Sequence, residues 1–209
     1  KSNIPVPKND YSKSAEDRNE IQLIKIHEKA SHFFSRQLKA SGGLQCRKYL
    51  RDREVSMNSI EHFNIGFASN SKSALYDHLK GENFNTSDIL LSGLCIQKET
   101  DSKPYDRFRN RVMFPIKDAK DRTIAFGGRS LNANSSAKYL NSPETPIFSK
   151  GKTVYNYANA RAVSKSQNPL LVVEGYMDVI SLHQADISFV VAPLGTAMTE
   201  SQLNLLWRL

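Results

Sequence analysis

Cysteine is almost missing from this 209-residue sequence. The two present, Cys46 and Cys95, lie far apart with no CxxC pair, which excludes a zinc ribbon and leaves two buried or half-buried thiols of a reduced, cytosolic protein. Long apolar runs are missing too. No stretch is long enough to span a bilayer, and residues 1–13 are polar and carry two prolines where a secretory signal would be apolar. The expectation is a soluble cytoplasmic protein with no membrane partner. His27 and His32 lack the i, i+4 spacing of a helical metal pair and read as solvated or core residues. Gly151-Lys-Thr153 resembles the tail of a phosphate-binding P-loop, but Pro146 stands where its first glycine is required. Gly127-Gly128 lacks the strand-to-helix setting of a dinucleotide fingerprint and is expected to shape a turn beside Arg129.

Acidic side chains are the minority: 29 Lys and Arg face 21 Asp and Glu, for a net charge of +8. That balance suits a polyanionic partner. Its distribution is uneven, since eleven Lys or Arg against five Asp or Glu fall between Asp101 and Lys152.

Two prolines and no periodicity make residues 1–13 a linker or arm. Ser14-Ala-Glu-Asp17 has the spacing of a capping box, so a helix is predicted from there to about Ala40, with Ile21, Ile24, Ala30, Phe33, Phe34 and Leu38 on its apolar face and Gly42-Gly43 as its stop. Helices are predicted at Leu44–Arg53, Ser56–His62, Ala74–Lys80 and Ser87–Ser92, and strands at Phe63–Ala68 and Leu94–Gln97. Arg111–Ile116 and Thr123–Gly127 flank a polar turn and read as a hairpin, which confines Pro115 to an edge or a bulge. Lys138–Gly151 reads as an ordered loop, followed by a helix over Asn156–Val163. A βαβα series then runs through strand Leu170–Val173, helix Tyr176–Gln184, strand Ile187–Ala192 and helix Glu200–Leu209. Short loops and continuous apolar strands predict a parallel sheet. The apolar last helix leaves the sheet's next edge uncovered, so a continuation of the natural protein is expected.

Leu170–Val173 is four apolar residues in succession, the pattern of a strand buried on both faces. Glu174 stands at its C-terminal end, where ligands bind in open α/β sheets, and Gly175 is expected to permit the tight turn into helix. Asp178 follows one helical turn later. Two carboxylates at one mouth make a plausible half-site for Mg²⁺, a hard cation that takes carboxylate oxygens, water and substrate phosphate.

Several blocks, in order, resemble bacterial DnaG-type DNA primase. They are Tyr105-Asp-Arg-Phe-Arg-Asn-Arg-Val-Met-Phe-Pro-Ile116, Phe126-Gly-Gly-Arg129, Lys138-Tyr-Leu-Asn-Ser-Pro-Glu-Thr145, Ser149-Lys-Gly151, Leu171-Val-Val-Glu-Gly-Tyr-Met-Asp-Val179 and Leu194-Gly-Thr-Ala197. The resemblance implies an α/β chain in three parts: the arm at 1–13, a basic α+β subdomain of the primase RNA polymerase core at 14–150, and the first half of a Toprim domain at 151–209. It implies RNA primer synthesis on single-stranded DNA from ribonucleoside triphosphates at a replication fork, with Mg²⁺ or Mn²⁺ at the Toprim acids. It also implies a zinc-binding domain upstream, a helicase-binding domain downstream and a monomer.

By resemblance Glu174 is the Toprim glutamate and catalytic, and Asp178 is an outer member of the same metal cluster. Arg129, Lys138, Tyr139, Asn141 and Lys150 fall near template and incoming nucleotide. Arg53, in a Tyr-Leu-x-x-Arg pattern, matches a basic residue on the DNA side, although this chain has Glu54 where the family usually has glycine. Arg107, Arg109 and Arg111 alternate at period two, so an extended Asp106–Arg111 would present them as one row along a phosphate backbone, with Phe108 turned into the core. Arg51, Lys117, Lys120 and Arg122 read as solvated surface charges or salt-bridge partners. The family's Asp-x-Asp pair falls beyond the last helix, so the 209 residues alone are expected neither to bind metal tightly nor to polymerise. The alternatives are another Toprim enzyme, a nuclease or topoisomerase, and a noncatalytic single-strand binding module.

Overall fold

The computed structural model describes residues 11–100, 102–135, 137–164, 169–195 and 197–209, the first six through their backbone alone. Helix α1 (Tyr11–Lys39) begins three residues ahead of the expected capping box, so Ser14–Asp17 lies within the helix. Residues 1–10 of the expected arm fall outside the described residues. The apolar stripe of α1 is as predicted except at Ile21, which is 52% exposed, while Leu23 and Ile26 join it. Helices α2 (Leu44–Asp52) and α3 (Met57–His62) follow, and Ser56 caps α3 by accepting the Ser59 N–H.

Next come β1 (Gly66–Ala68), α4 (Ala74–Gly81), α5 (Thr86–Leu91), β2 (Cys95–Ile96) and β3 (Tyr105–Asp106), with the strands shorter than predicted. Buried Asp106 accepts the N–H groups of Leu75 and Tyr76 at 2.8 and 2.9 Å, satisfying the first turn of α4 from another element. The expected hairpin forms: β4 (Arg111–Lys117) pairs antiparallel with β5 (Thr123–Ser130). Strand β6 (Tyr139–Asn141) adds to β5, so the expected loop at 138–151 contributes an edge, and the sheet order is β1-β4-β5-β6. Pro115 is tolerated because β1 pairs with β4 only as far as Met113, leaving open the side where its missing N–H would point.

Both faces of this sheet are covered. Ile26, Ala30 and Phe34 of α1 pack against Met113 and Phe126 on one face. On the other, Val112, Phe114 and Ile116 join Tyr176, Val179, Ile180, Val190 and Ala192 in one continuous core. That second layer comprises β7 (Val154–Tyr155), α6 (Tyr157–Val163), β8 (Leu171–Val172), α7 (Tyr176–Gln184), β9 (Val190–Pro193) and α8 (Glu200–Leu206). Strands β8 and β9 are parallel, as the βαβα order predicts, and β7 lies antiparallel on the far side of β9.

The order β7-β9-β8 corrects one expectation. Among the described residues strand β8 pairs with β9 alone, and Leu171 and Val172 are 36% and 48% exposed rather than buried on both faces. An apolar run records what a strand can bury, not how many neighbours it has. The central strand is β9, with Val190, Val191 and Ala192 all inaccessible. No helix among the described residues is long and apolar enough to cross a membrane.

Candidate active site

Beyond β8 the chain stays in register for one more residue, since Val173 donates to the Val191 carbonyl at 3.0 Å. Glu174 then stands exposed at the strand's C-terminal end, as its sequence position implied. Gly175 is extended (φ −153, ψ 179), a conformation open to any residue, so the turn does not use the freedom that was expected of it. Its N–H donates to Asp178 Oδ2 at 3.0 Å, the returning half of a capping box, and glycine has no side chain to supply the other half. One carboxylate oxygen of Asp178 therefore caps α7, where the helix dipole also favours an acid.

Glu174 and Asp178 line one open cleft of about 470 Å³, whose other walls include Arg53, Lys138, Tyr139 and Asn141. A larger groove of about 1050 Å³ beside α1, α2 and α3 has an apolar lining that includes Leu44, Met57 and Ile60, a single carboxylate, Glu61, and no strand end. The smaller cleft is the one with chemistry. Six residues singled out in the sequence, from α2 to α7, meet there.

Tyr49, the first residue of the Tyr-Leu-x-x-Arg pattern but given no role there, is central to the basic wall. The Arg129 guanidinium lies over its ring at 4.1 Å and that of Arg53 at 5.7 Å, so one aromatic ring holds two cations from different elements. The Tyr49–Arg53 half is legible in the i, i+4 spacing along α2. The Arg129 half comes from β5 and is not. Tyr139 is 46% exposed beside this group; burial pushes its phenol up, Tyr49 and Asp178 add to that, and Arg129 and Arg53 oppose it.

Asn141 fastens the walls together. Its Oδ1 accepts the Tyr176 hydroxyl at 2.7 Å and its Nδ2 donates to the Leu194 carbonyl at 2.8 Å, joining β6 to α7 and to the end of β9. Tyr176 is stacked on Phe114 at 5.0 Å and edge-on to Tyr155 at 4.7 Å. Gly127 makes that packing possible, because a Cβ there would fall on Tyr176 Cζ and Oη. Gly128 does the same for Phe108, 2.9 Å from where its Cβ would be. The pair thus lies within β5 and not in the expected turn.

The row of three arginines does not form. Asn110 has φ 50, which breaks the extended run. Arg111 is buried and its Nη1 donates to the carbonyls of Gly128, Ala137 and Lys138, bracing the approach to β6. Arg107 is half-buried and donates to the Asn141 carbonyl at 3.4 Å, and burial lowers its pKa. Arg109 is exposed and stands over Tyr105 at 5.6 Å. Phe108 is in the core, as expected.

Lys150 sits in a 3-10 turn, Lys150–Lys152, outside the cleft lining. Gln202 Nε2 donates to its carbonyl, and Glu144 accepts its N–H. Of the charges read as solvated or salt-bridged, Lys117 pairs with Asp121 and Arg122 with Asp118 and Glu20. Among the described residues no three His, Cys, Asp or Glu are gathered as a metal site. Glu174 and Asp178 are carboxylates lining one cleft, the donor type a hard cation takes.

Residues 33–161 match the family described as "DNA primase catalytic core, N-terminal domain", and residues 168–209 match the Toprim domain. The DNA primase of Halalkalibacterium halodurans is 41% identical over 209 residues, covering 100% of this chain and 35% of that protein. That of Escherichia coli K12 is 40% identical over 186 residues, covering 89% and 32%. The chain therefore spans about a third of the length of these curated relatives. A DnaG primase catalytic domain bound to single-stranded DNA superposes with a TM-score of 0.82 at 39% identity, covering 92% of this chain and 59% of that one. The RNA polymerase domain of Mycobacterium tuberculosis DnaG, in complex with a double-stranded DNA oligomer with an overhang, gives 0.84 at 30% identity, covering 90% and 58%. With that family matched across most of its length, the Toprim domain after it and this cleft between them, the chain belongs to the DnaG primase catalytic core family.

Proposed function

We propose that the cleft is where template and nucleotide meet the acids of a primer-synthesising RNA polymerase, and that these 209 residues are a fragment of that enzyme's core. The observation that carries the reading is the lining itself: an exposed strand-end glutamate and a second carboxylate face two cations and a half-exposed tyrosine across one opening. Phosphoryl transfer asks a protein chiefly for positioning and charge stabilisation. Arg53, Lys138 and Arg129 take the phosphates of single-stranded DNA or a ribonucleoside triphosphate, and Tyr139 offers a face for a base. Glu174 and Asp178 would hold Mg²⁺ or Mn²⁺, which when bound neutralises the triphosphate and activates the 3′-hydroxyl. Asn141 and Arg111, expected on the nucleic-acid side, act one step behind it by bracing β6. Arg107, Arg109 and Lys150 extend the basic surface beyond the cleft, along the path of the template or the new RNA primer. The zinc-binding and helicase-binding parts, the location at the bacterial replication fork and the monomeric state belong to the same reading of the longer enzyme.

Two carboxylates are a partial set for two-metal chemistry. Alone, the chain acts as a single-strand binding module. Its affinity for a labelled oligonucleotide should fall with rising salt, and Lys138→Ala should flatten the slope by about 0.7 for each phosphate no longer neutralised. An unchanged slope refutes phosphate contact. In a chain of the curated relatives' length, Glu174→Gln should abolish template-directed ribonucleotide incorporation. Normal incorporation by that variant overturns the catalytic assignment, and primer synthesis by the pure 209-residue chain refutes the reading of its two carboxylates as a partial set.

A further inference from the structure

Arg53 reaches the cleft from a turn that is strained in this sequence. It is the C-cap of α2, and Glu54 after it has φ 57. The Glu54 N–H donates to Arg51 O at 2.8 Å and the Val55 N–H to Leu50 O at 3.0 Å. Those two bonds define a Schellman turn, whose left-handed position glycine usually fills. A residue with a Cβ is disfavoured there by roughly tenfold.

Gln184, the last residue of α7, grips this turn from outside. Its Oε1 accepts the Ser56 N–H at 2.8 Å and its Nε2 donates to the Glu54 carbonyl at 2.9 Å. The two bonds hold the carbonyl of the strained residue and the N–H two positions on, either side of Val55, and span 128 and 130 positions of sequence. At the other end of the same helix stand Asp178 and the Glu174 turn. One rigid helix thus carries the acids at its start and holds the turn beside Arg53 at its end.

We propose that Gln184 is a positioning residue for Arg53: it offsets the cost of Glu54 in the left-handed conformation and keeps the basic wall in register with the acidic one. The inference rests on the reading of Arg53 as a phosphate contact. Glycine needs no such support, so the role is separable from mere packing by rescue.

The experiment measures binding of a fluorescein-labelled oligo-dT to the chain by anisotropy at several salt concentrations. Gln184→Ala should weaken binding about threefold to tenfold and speed hydrogen exchange at the Ser56 amide. Glu54→Gly in the Gln184→Ala background should return the affinity to within about twofold of the parent. In an Arg53→Ala background, Gln184→Ala should have no further effect. If Arg53→Ala weakens binding and Gln184→Ala does not, or if Glu54→Gly fails to restore it, the positioning role falls by itself. If Arg53→Ala has no effect, the phosphate reading of Arg53 falls and takes the inference with it.

Discussion

Gly127→Ala tests whether the cleft depends on the packing behind it. The added Cβ would clash with Tyr176 Cζ and Oη and lie 2.6 Å from Cε2. Tyr176 has nowhere to retreat, being 6% exposed, stacked on Phe114, edge-on to Tyr155, and tied by its hydroxyl to Asn141. Overpacking a filled core costs about 1–3 kcal/mol. Loss of the Tyr176–Asn141 bond adds about 1 kcal/mol. Reduced freedom of the unfolded chain returns about 0.4–1 kcal/mol. The net is about 1–4 kcal/mol, or a melting temperature lower by about 2–15 °C at this chain length.

Urea unfolding of the parent, Gly127→Ala, Tyr176→Leu and the double variant measures the coupling directly. With the ring shortened, Gly127→Ala should cost below about 0.5 kcal/mol. Because Tyr176 adjoins the Glu174 turn, oligonucleotide affinity should fall with Gly127→Ala in the parent background. An equal penalty in both backgrounds refutes the reasoning, because the collision with Tyr176 is then not the cause.

Burial lowers the pKa of His27 from 6.5 to about 4, against the opposing pull of its bond to the Leu23 carbonyl. A depressed histidine contributes stability that is complete above pH 6.5 and lost as pH falls toward 4, in total about 3 kcal/mol. His27→Phe, which retains a ring against Phe126, should remove that slope from urea unfolding between pH 7 and 4.5; an identical slope in both proteins counts against it. Both thiols are buried and pushed up, Cys46 to about 12, so a thiol reagent should label them only as the protein unfolds. Fast labelling of the native chain would show that one of them is open.

Element type and order were legible along most of the chain because periodicity is local. The 3.6-residue stripe of α1, the hairpin of β4 and β5 and the βαβα series that makes β8 and β9 parallel all follow from where apolar residues recur. The place of Glu174 at a strand end was equally local. Capping was less secure: Ser14–Asp17 has the right spacing, yet α1 starts earlier, because the same residue types also continue a helix.

What surrounds each element was decided only by the tertiary structure. Nothing in Leu170–Val173 tells that among the described residues the strand pairs with β9 alone, since hydrophobicity does not count neighbours. Asn110 scattered three arginines that period two had aligned, sending Arg111 inward to brace a loop while Arg109 stayed exposed. Tyr49 between Arg53 and Arg129, Gly127 under Tyr176 and Gln184 on the Glu54 turn join distant parts of the chain. The sequence by itself determined which chemistry the chain carries and at which strand end it is shown. Packing decided which side chains face the opening and which hold it in shape, because that depends on what lies across the interface rather than on what comes next along the chain.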